Sequence, residues 1–163
     1  MDKTMLGVLS PVEEVGFYEN AEKIISVPNA IITAVGTVML PKMSNLYANS
    51  KFDDESKKII KNTMSVVMFL CLAMGAGIIS IGMHFSTFFF GSEFAKSGIL
   101  IQLLAITIVF LGWGNVIRTQ FLIPKERDKE YIISAFLGAI INFVMNLIFI
   151  PKYASIGACF GTI

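Results

Sequence analysis

The amino-acid sequence predicts an all-α protein: a polytopic transmembrane helix bundle with four complete spans and a partial helix at each end. Three observations carry that prediction. The 163 residues are 55% hydrophobic, with a mean hydropathy of +0.71. Only 15% are charged, against about 25% in an ordinary soluble domain. The charges are also segregated: positions 24–41, 62–92, 97–117 and 131–151 hold none, giving runs of 18, 31, 21 and 21 residues. A helix needs about 20 mostly apolar residues to cross the hydrocarbon core. This pattern excludes a water-soluble enzyme, a nucleic-acid binder and a secreted disulfide scaffold.

The elements follow in chain order. Residues 1–9 are too short to cross and read as the outer end of one helix. Asp2 and Lys3 then lie inside the membrane and need each other or another partner; with Met1 as the true start they form a solvated terminus. The acidic run Glu13, Glu14, Glu19 and Glu22 reads as a solvated outer loop. The first span is 24–41, kinked near its start by Pro28 and ended by Pro41. The others are 62–83, 98–121 and 131–150. Continuous apolar runs such as 65–73 and 99–111 argue for helices, because barrel strands alternate. Residues 156–163 are rich in Gly and Ala and read as the start of a further helix. The whole chain, 1–163, is then part of a single transmembrane domain of a larger bundle. The alternative is a complete small protein with interfacial ends.

The loops set the orientation. Lys42, Lys51, Lys57, Lys58, Lys61, Arg118, Lys125, Arg127 and Lys129 fall on one side, and only Lys23, Lys96 and Lys152 on the other. Basic loops stay in the cytoplasm, so 42–61 and 122–130 are expected there, in a multi-pass protein of the cytoplasmic membrane. The aromatic outer loop around Phe88, Phe89, Phe90 and Phe94 reads as an interfacial anchor.

Polar groups inside the spans need partners. Ser134, Gly138, Asn142 and Asn146 recur every four residues and share one face of the fourth span. Such a stripe is either a packing seam or the wall of a water-filled cavity. Ser26, Asn29, Thr33, Gly36 and Thr37 make a similar stripe on the first span, and Gly112, Asn115 and Thr119 on the third. Arg118 lies about 6–9 Å from the inner boundary. It either snorkels to the interface or turns its guanidinium into a cavity, where it can hold a phosphate through two hydrogen bonds. The candidate cavity residues are therefore Arg118, Lys3, Asp2, Asn115, Asn142, Asn146 and Asn29. Cys71 and Cys159 read as buried structural thiols, and His84, alone, is thin support for proton coupling. No nucleophile–base pair, paired carboxylates, metal cluster or Gly-rich phosphate loop is present, so neither an enzyme nor a cofactor or metal is expected.

Several motifs carry a resemblance. Asp2-Lys3-Thr4-Met5-Leu6-Gly7, Glu14-Val15-Gly16-Phe17-Tyr18 and Met39-Leu40-Pro41-Lys42-Met43-Ser44-Asn45 resemble the polysaccharide-biosynthesis flippases of the multidrug/oligosaccharidyl-lipid/polysaccharide exporter superfamily. Phe90-Gly91-Ser92-Glu93-Phe94 is similar to an outer-loop motif of that family, and so is Gly138, Asn142 and Asn146 followed by Ile150-Pro151-Lys152-Tyr153 and Ile156-Gly157-Ala158. The resemblance spans nearly the whole chain. It implies a dozen or more helices in two lobes around a central cavity, with this chain running from the end of the seventh helix to the start of the twelfth. It further implies movement of a polyprenyl-diphosphate-linked oligosaccharide from the cytoplasmic to the outer leaflet by alternating access. The partners implied are the bilayer, the lipid-linked substrate and the remainder of the transporter, without nucleic acid. Two other readings stand beside it: a drug/cation antiporter of the same superfamily, which would need carboxylates in the spans, and a small non-transporting membrane subunit.

Overall fold

A computed structural model describes residues 1–48 and 54–162. Among them there are helices and no strands: α1 (Asp2–Leu9), α2 (Val12–Ala48), α3 (Asp54–Phe90), α4 (Ala95–Ala105), α5 (Thr107–Ile117), α6 (Asp128–Tyr153) and α7 (Ser155–Thr162). A 3-10 turn, Ser92–Phe94, precedes α4, and a π-helical turn, Arg118–Leu122, follows α5. Four helical stretches are long and apolar enough to cross a membrane: Val12–Ala48, Asp54–Phe90, Ser92–Leu122 and Asp128–Tyr153.

The first, second and fourth predicted spans each lie inside a longer helix. At 37 residues α2 and α3 are about 55 Å long, well beyond the roughly 30 Å hydrocarbon core. Charge-free runs mark what lies in hydrocarbon; they do not mark where hydrogen bonding stops. The acidic stretch read as an outer loop is therefore helical, with Glu13 and Glu14 in the first turn of α2, where the helix dipole favours them. Pro41 does not end the helix. Both Pro28 and Pro41 lie inside α2, each removing one backbone bond that the continuing helix tolerates. The expected inner loop 42–61 shrinks accordingly, because helix covers both its flanks; Lys51 lies outside the described residues.

The third span was expected as one helix and is two. At the junction Ile106 N–H donates to Leu103 O at 3.2 Å and Val109 N–H to Ile106 O at 3.3 Å. Thr107 Oγ1 takes Leu104 O at 2.6 Å. A hydroxyl competing for a helix carbonyl tightens and bends the ladder, and here it separates α4 from α5.

Small residues bring α2–α5 together. A Cβ on Gly98 would strike the Met83 backbone, one on Gly112 would strike Cys71 Sγ, and one on Gly36 would strike the Asn115 amide. Val67, Cys71, Leu100, Ile101, Leu104 and Ile108 fill the core between them. Cys71 and Cys159 are free and buried.

The end of the bundle expected to face outward is stitched by polar bonds: Ser97 Oγ donates to Phe17 O at 3.0 Å and Ser86 Oγ to Phe94 O at 2.7 Å. Phe17 packs edge-on against Phe94, with centroids 5.7 Å apart. The starts of α2 and α4 thus meet the end of α3, as alternating spans require.

The last two helices form a hairpin. Ala154, at φ 50° and ψ −126°, breaks the chain after α6 and sends α7 back along it. Only 6% of the apolar stretch of α6 is buried, and Asn146 and Ile150 are its buried residues. α6 therefore leans away from the α2–α5 body and leaves a cleft open beside α5.

Candidate functional site

Two features gather the membrane-embedded polar groups. The first is the cleft, which has two chambers of about 480 Å³ each. The inner chamber is lined by Asn29 and Thr33 of α2, Asn115 of α5, Arg118 of the π turn, and Tyr131 and Ser134 of α6. The outer is lined by Tyr18, Glu22, Lys23 and Ser26 of α2 and by Thr162 of α7. Asn29, Thr33 and Leu111 belong to both, so the chambers are continuous.

Three of the hydroxyls along this cleft are satisfied within their own helices. Ser26 Oγ donates to Lys23 O, Thr33 Oγ1 to Asn29 O and Ser134 Oγ to Tyr131 O, at 2.6, 2.8 and 2.8 Å. Such back-bonding makes a hydroxyl cheap to place in lipid. The amides differ. Asn29 Oδ1 and Asn115 Oδ1 are buried without a hydrogen-bond partner, and an unmet buried acceptor costs about 1–3 kcal/mol. Gly36 is what admits the Asn115 amide against α2.

Charge is uneven along the cleft. Arg118 is exposed, its guanidinium stacked on the Tyr131 ring 4.9 Å from the centroid, with no carboxylate in ion-pair range among the described residues. At the outer end Lys3 pairs with Glu22 at 2.6 Å and Lys23 with Glu19 at 3.6 Å. The inner chamber is thus cationic and the outer one neutralised.

The second feature is an oxygen-rich cluster behind the outer chamber. Asp2 Oδ1 accepts from Asn146 Nδ2 at 2.6 Å. Its Oδ2 accepts from Thr162 Oγ1 at 3.1 Å and from Tyr18 OH at 3.4 Å. Asn146 Nδ2 also reaches Asn142 Oδ1 at 3.1 Å, and Asn142 Nδ2 donates to Gly161 O at 2.9 Å. Asn146 Oδ1 is buried with no partner. No group of three His, Cys, Asp or Glu side chains occurs among the described residues. The cluster instead gathers one carboxylate and several neutral oxygens, the donor type that hard cations take.

The seven candidates therefore divide. Asn29, Asn115 and Arg118 come together in the cleft. Asp2, Asn142 and Asn146 meet in the cluster, facing α7 and α1 rather than the open cleft. Lys3 joins neither group and pairs with Glu22. The stripe on α6 splits the same way: Ser134 lines the cleft, and a Cβ on Gly138 would touch nothing.

Sequence reasoning missed Tyr18 and Thr162, whose hydroxyls lie 2.9 Å apart. It also missed the outer tie around Glu14, which accepts from Lys96 Nζ at 2.6 and 2.8 Å and from Ser155 N and Oγ at 3.2 and 2.5 Å. The available signal was a partner search for Asp2 and Lys96 across the whole chain.

Comparison with known proteins adds three findings. A family model described as lipid II flippase MurJ matches residues 10–163. The chain is 22% identical to the probable low-salt glycan biosynthesis flippase Agl15 of Haloferax volcanii, over 99% of this chain and 34% of the relative. It is 22% identical to the capsular polysaccharide biosynthesis protein CapF of Staphylococcus aureus (88% and 36%) and 23% identical to the lipid II flippase MurJ of Bacillus subtilis (86% and 26%). The chain spans about a third or less of the length of these curated relatives. No solved structure matches.

Proposed function

We propose that this chain, which belongs to the lipid II flippase MurJ family, forms one wall of the path by which a polyprenyl-diphosphate-linked oligosaccharide crosses the cytoplasmic membrane in polysaccharide biosynthesis. A glycan and a diphosphate lose too much hydration to enter hydrocarbon, so a carrier must offer them a wet polar surface. The observation that carries the reading is the continuous cleft, with Asn29, Thr33 and Asn115 along it and Arg118 at its inner end. A planar guanidinium holds two phosphate oxygens at once. The decline from a cationic inner chamber to a neutralised outer one favours loading an anion inside and releasing it outside. The remainder of a longer transporter supplies the facing wall, in keeping with the length of the relatives.

The test is glycan export in cells that depend on this chain's gene. Arg118→Glu should lower export at least about tenfold, the value of one charged hydrogen bond, while membrane insertion stays normal. Wild-type export from that variant would leave Arg118 a snorkelling residue and overturn the reading. A drug/cation antiporter would need carboxylates within the spans, and 24–41, 62–83, 98–121 and 131–150 hold no Asp or Glu.

The oxygen cluster supports coupling of this movement to a monovalent cation, with the unpartnered Asn146 Oδ1 as the observation in its favour. Sodium should then raise thermal stability in detergent relative to an equal concentration of choline. Asp2→Asn should abolish the difference, and identical melting in both salts would refute the coupling.

A further inference from the structure

We propose that the inner half of α6 is a flap over the polar cleft, and that the π-helical turn Arg118–Leu122, with the buried amide of Gln120, is the switch that moves it. The proposal rests on the reading of the cleft as the substrate's path. Three features meet at this end of the bundle.

The first is an incomplete backbone ladder. Ile123 N–H donates to Arg118 O at 3.0 Å and Arg127 N–H to Leu122 O at 2.9 Å, each five residues back. Thr119 O thereby loses the donor an α-helix would give it, which is Ile123 N–H. Gln120 O loses its own because the residue four positions on is Pro124, which has no N–H. Glu126 follows at φ 55°, a left-handed conformation that a residue with a Cβ adopts only at a cost.

The second is Gln120 itself. It lies four residues beyond Val116, a member of the apolar core, and its side chain is fully buried. Neither Oε1 nor Nε2 has a hydrogen-bond partner among the described residues. An amide buried without partners gives up its hydration for nothing, so it weakens the preference for the observed register. Passing Ile123 N–H from Arg118 O to Thr119 O would rewind the π turn into α-helix, turn Gln120 about the axis and swing the chain beyond it.

The third is the segment that such a swing would move. Along α6 every residue from Asp128 to Ile141 is exposed except Tyr131, which is half-buried. The outer half is anchored instead: Asn142 donates to Gly161 O and Asn146 to Asp2. A segment with so little buried surface moves at small cost. Tyr131 lies eleven residues before Asn142, about 16 Å along the axis. A kink change of about 20°, the size a π-bulge makes, displaces it by about 6 Å. The observed state is the closed one, with the Arg118 guanidinium stacked on the Tyr131 ring across the cleft. Rewinding the turn parts the two, widens the inner mouth and frees the guanidinium for an anion.

The experiment is a distance measurement by electron–electron resonance on the full chain in phosphatidylethanolamine–phosphatidylglycerol vesicles, without substrate. Spin labels go on Trp113→Cys and Ile132→Cys, both exposed, while Cys71 and Cys159 are buried and escape labelling. Two distances about 5 Å apart are expected, against one for the control pair Trp113→Cys and Val38→Cys within the α2–α5 body. Gln120→Met keeps the length of the side chain and removes both unmet atoms. It should depopulate the longer distance by at least about tenfold and raise the melting temperature. A single distance in the wild type, or two distances unchanged in Gln120→Met, overturns the switch. A lower melting temperature in Gln120→Met also overturns it, because the amide is then partnered. Two distances together with wild-type export from Arg118→Glu keep the flap and refute the phosphate role of Arg118. A single distance together with lost export does the reverse.

Discussion

Glu14 should hold the outer end of the bundle together, and its removal is the sharpest test of the packing. One carboxylate there joins three helices: Lys96 of α4 donates to it twice, and Ser155, the first residue of α7, donates through both N–H and hydroxyl. The Glu14 side chain is 14% exposed and that of Lys96 34%. Hydrogen bonds to a charged group are worth about 1.5–3 kcal/mol each, and removing one partner of a buried ion pair costs about 3–5 kcal/mol. Lys96 retains access to solvent and recovers part of that. The expected cost of Glu14→Ala is thus about 2–4 kcal/mol. Glu14→Gln, which keeps the shape and can still accept from Ser155, should cost roughly half as much. The assay is reversible unfolding in mixed dodecyl sulfate micelles, run as a double-mutant cycle with Lys96→Ala and Ser155→Ala. A coupling energy above about 1 kcal/mol in both cycles is expected. Coupling near zero with Ser155 would mean that α7 is not held by Glu14, and the described junction of α2, α4 and α7 would be refuted.

Two further outcomes are expected. Gly112→Ala should destabilise by about 1–3 kcal/mol, because its Cβ would occupy the position of Cys71 Sγ, and Cys71→Gly in the same chain should restore most of the loss; the same unfolding assay reads both. With the basic ends inside, an impermeant maleimide added to intact cells should label Lys152→Cys and spare Lys129→Cys, and the reverse pattern would invert the topology.

The chain shows which structural facts a sequence carries. The four spans were legible because hydrocarbon excludes charge residue by residue, so the uncharged runs mark the lipid-embedded stretches without any knowledge of packing. The helix ends were not. Glu13, Glu14 and Glu19 are as compatible with a helix in water as with a loop, and Pro41 stops a helix only if the next turn fails to resume. The break at Ile106 left no signature among continuous apolar residues, since a threonine that takes its own helix carbonyl looks like any other threonine. The site divides along the same line. Periodicity correctly placed Ser134, Gly138, Asn142 and Asn146 on one face, but that face is about 18 Å long and meets different neighbours along its length. Ser134 faces the cleft, Gly138 faces open space, and the two asparagines face α7 and α1.

From the sequence alone came the solvent and the four stretches able to cross it, both of which are sums over individual residues of transfer energy and charge. Tertiary structure alone decided which polar groups are partners. Asp2 and Asn146 are 144 positions apart, and Glu14 and Ser155 are 141 apart. A hydrogen bond depends on positions good to a fraction of an ångström. Over such separations those positions are set by how whole helices pack, which no local pattern records.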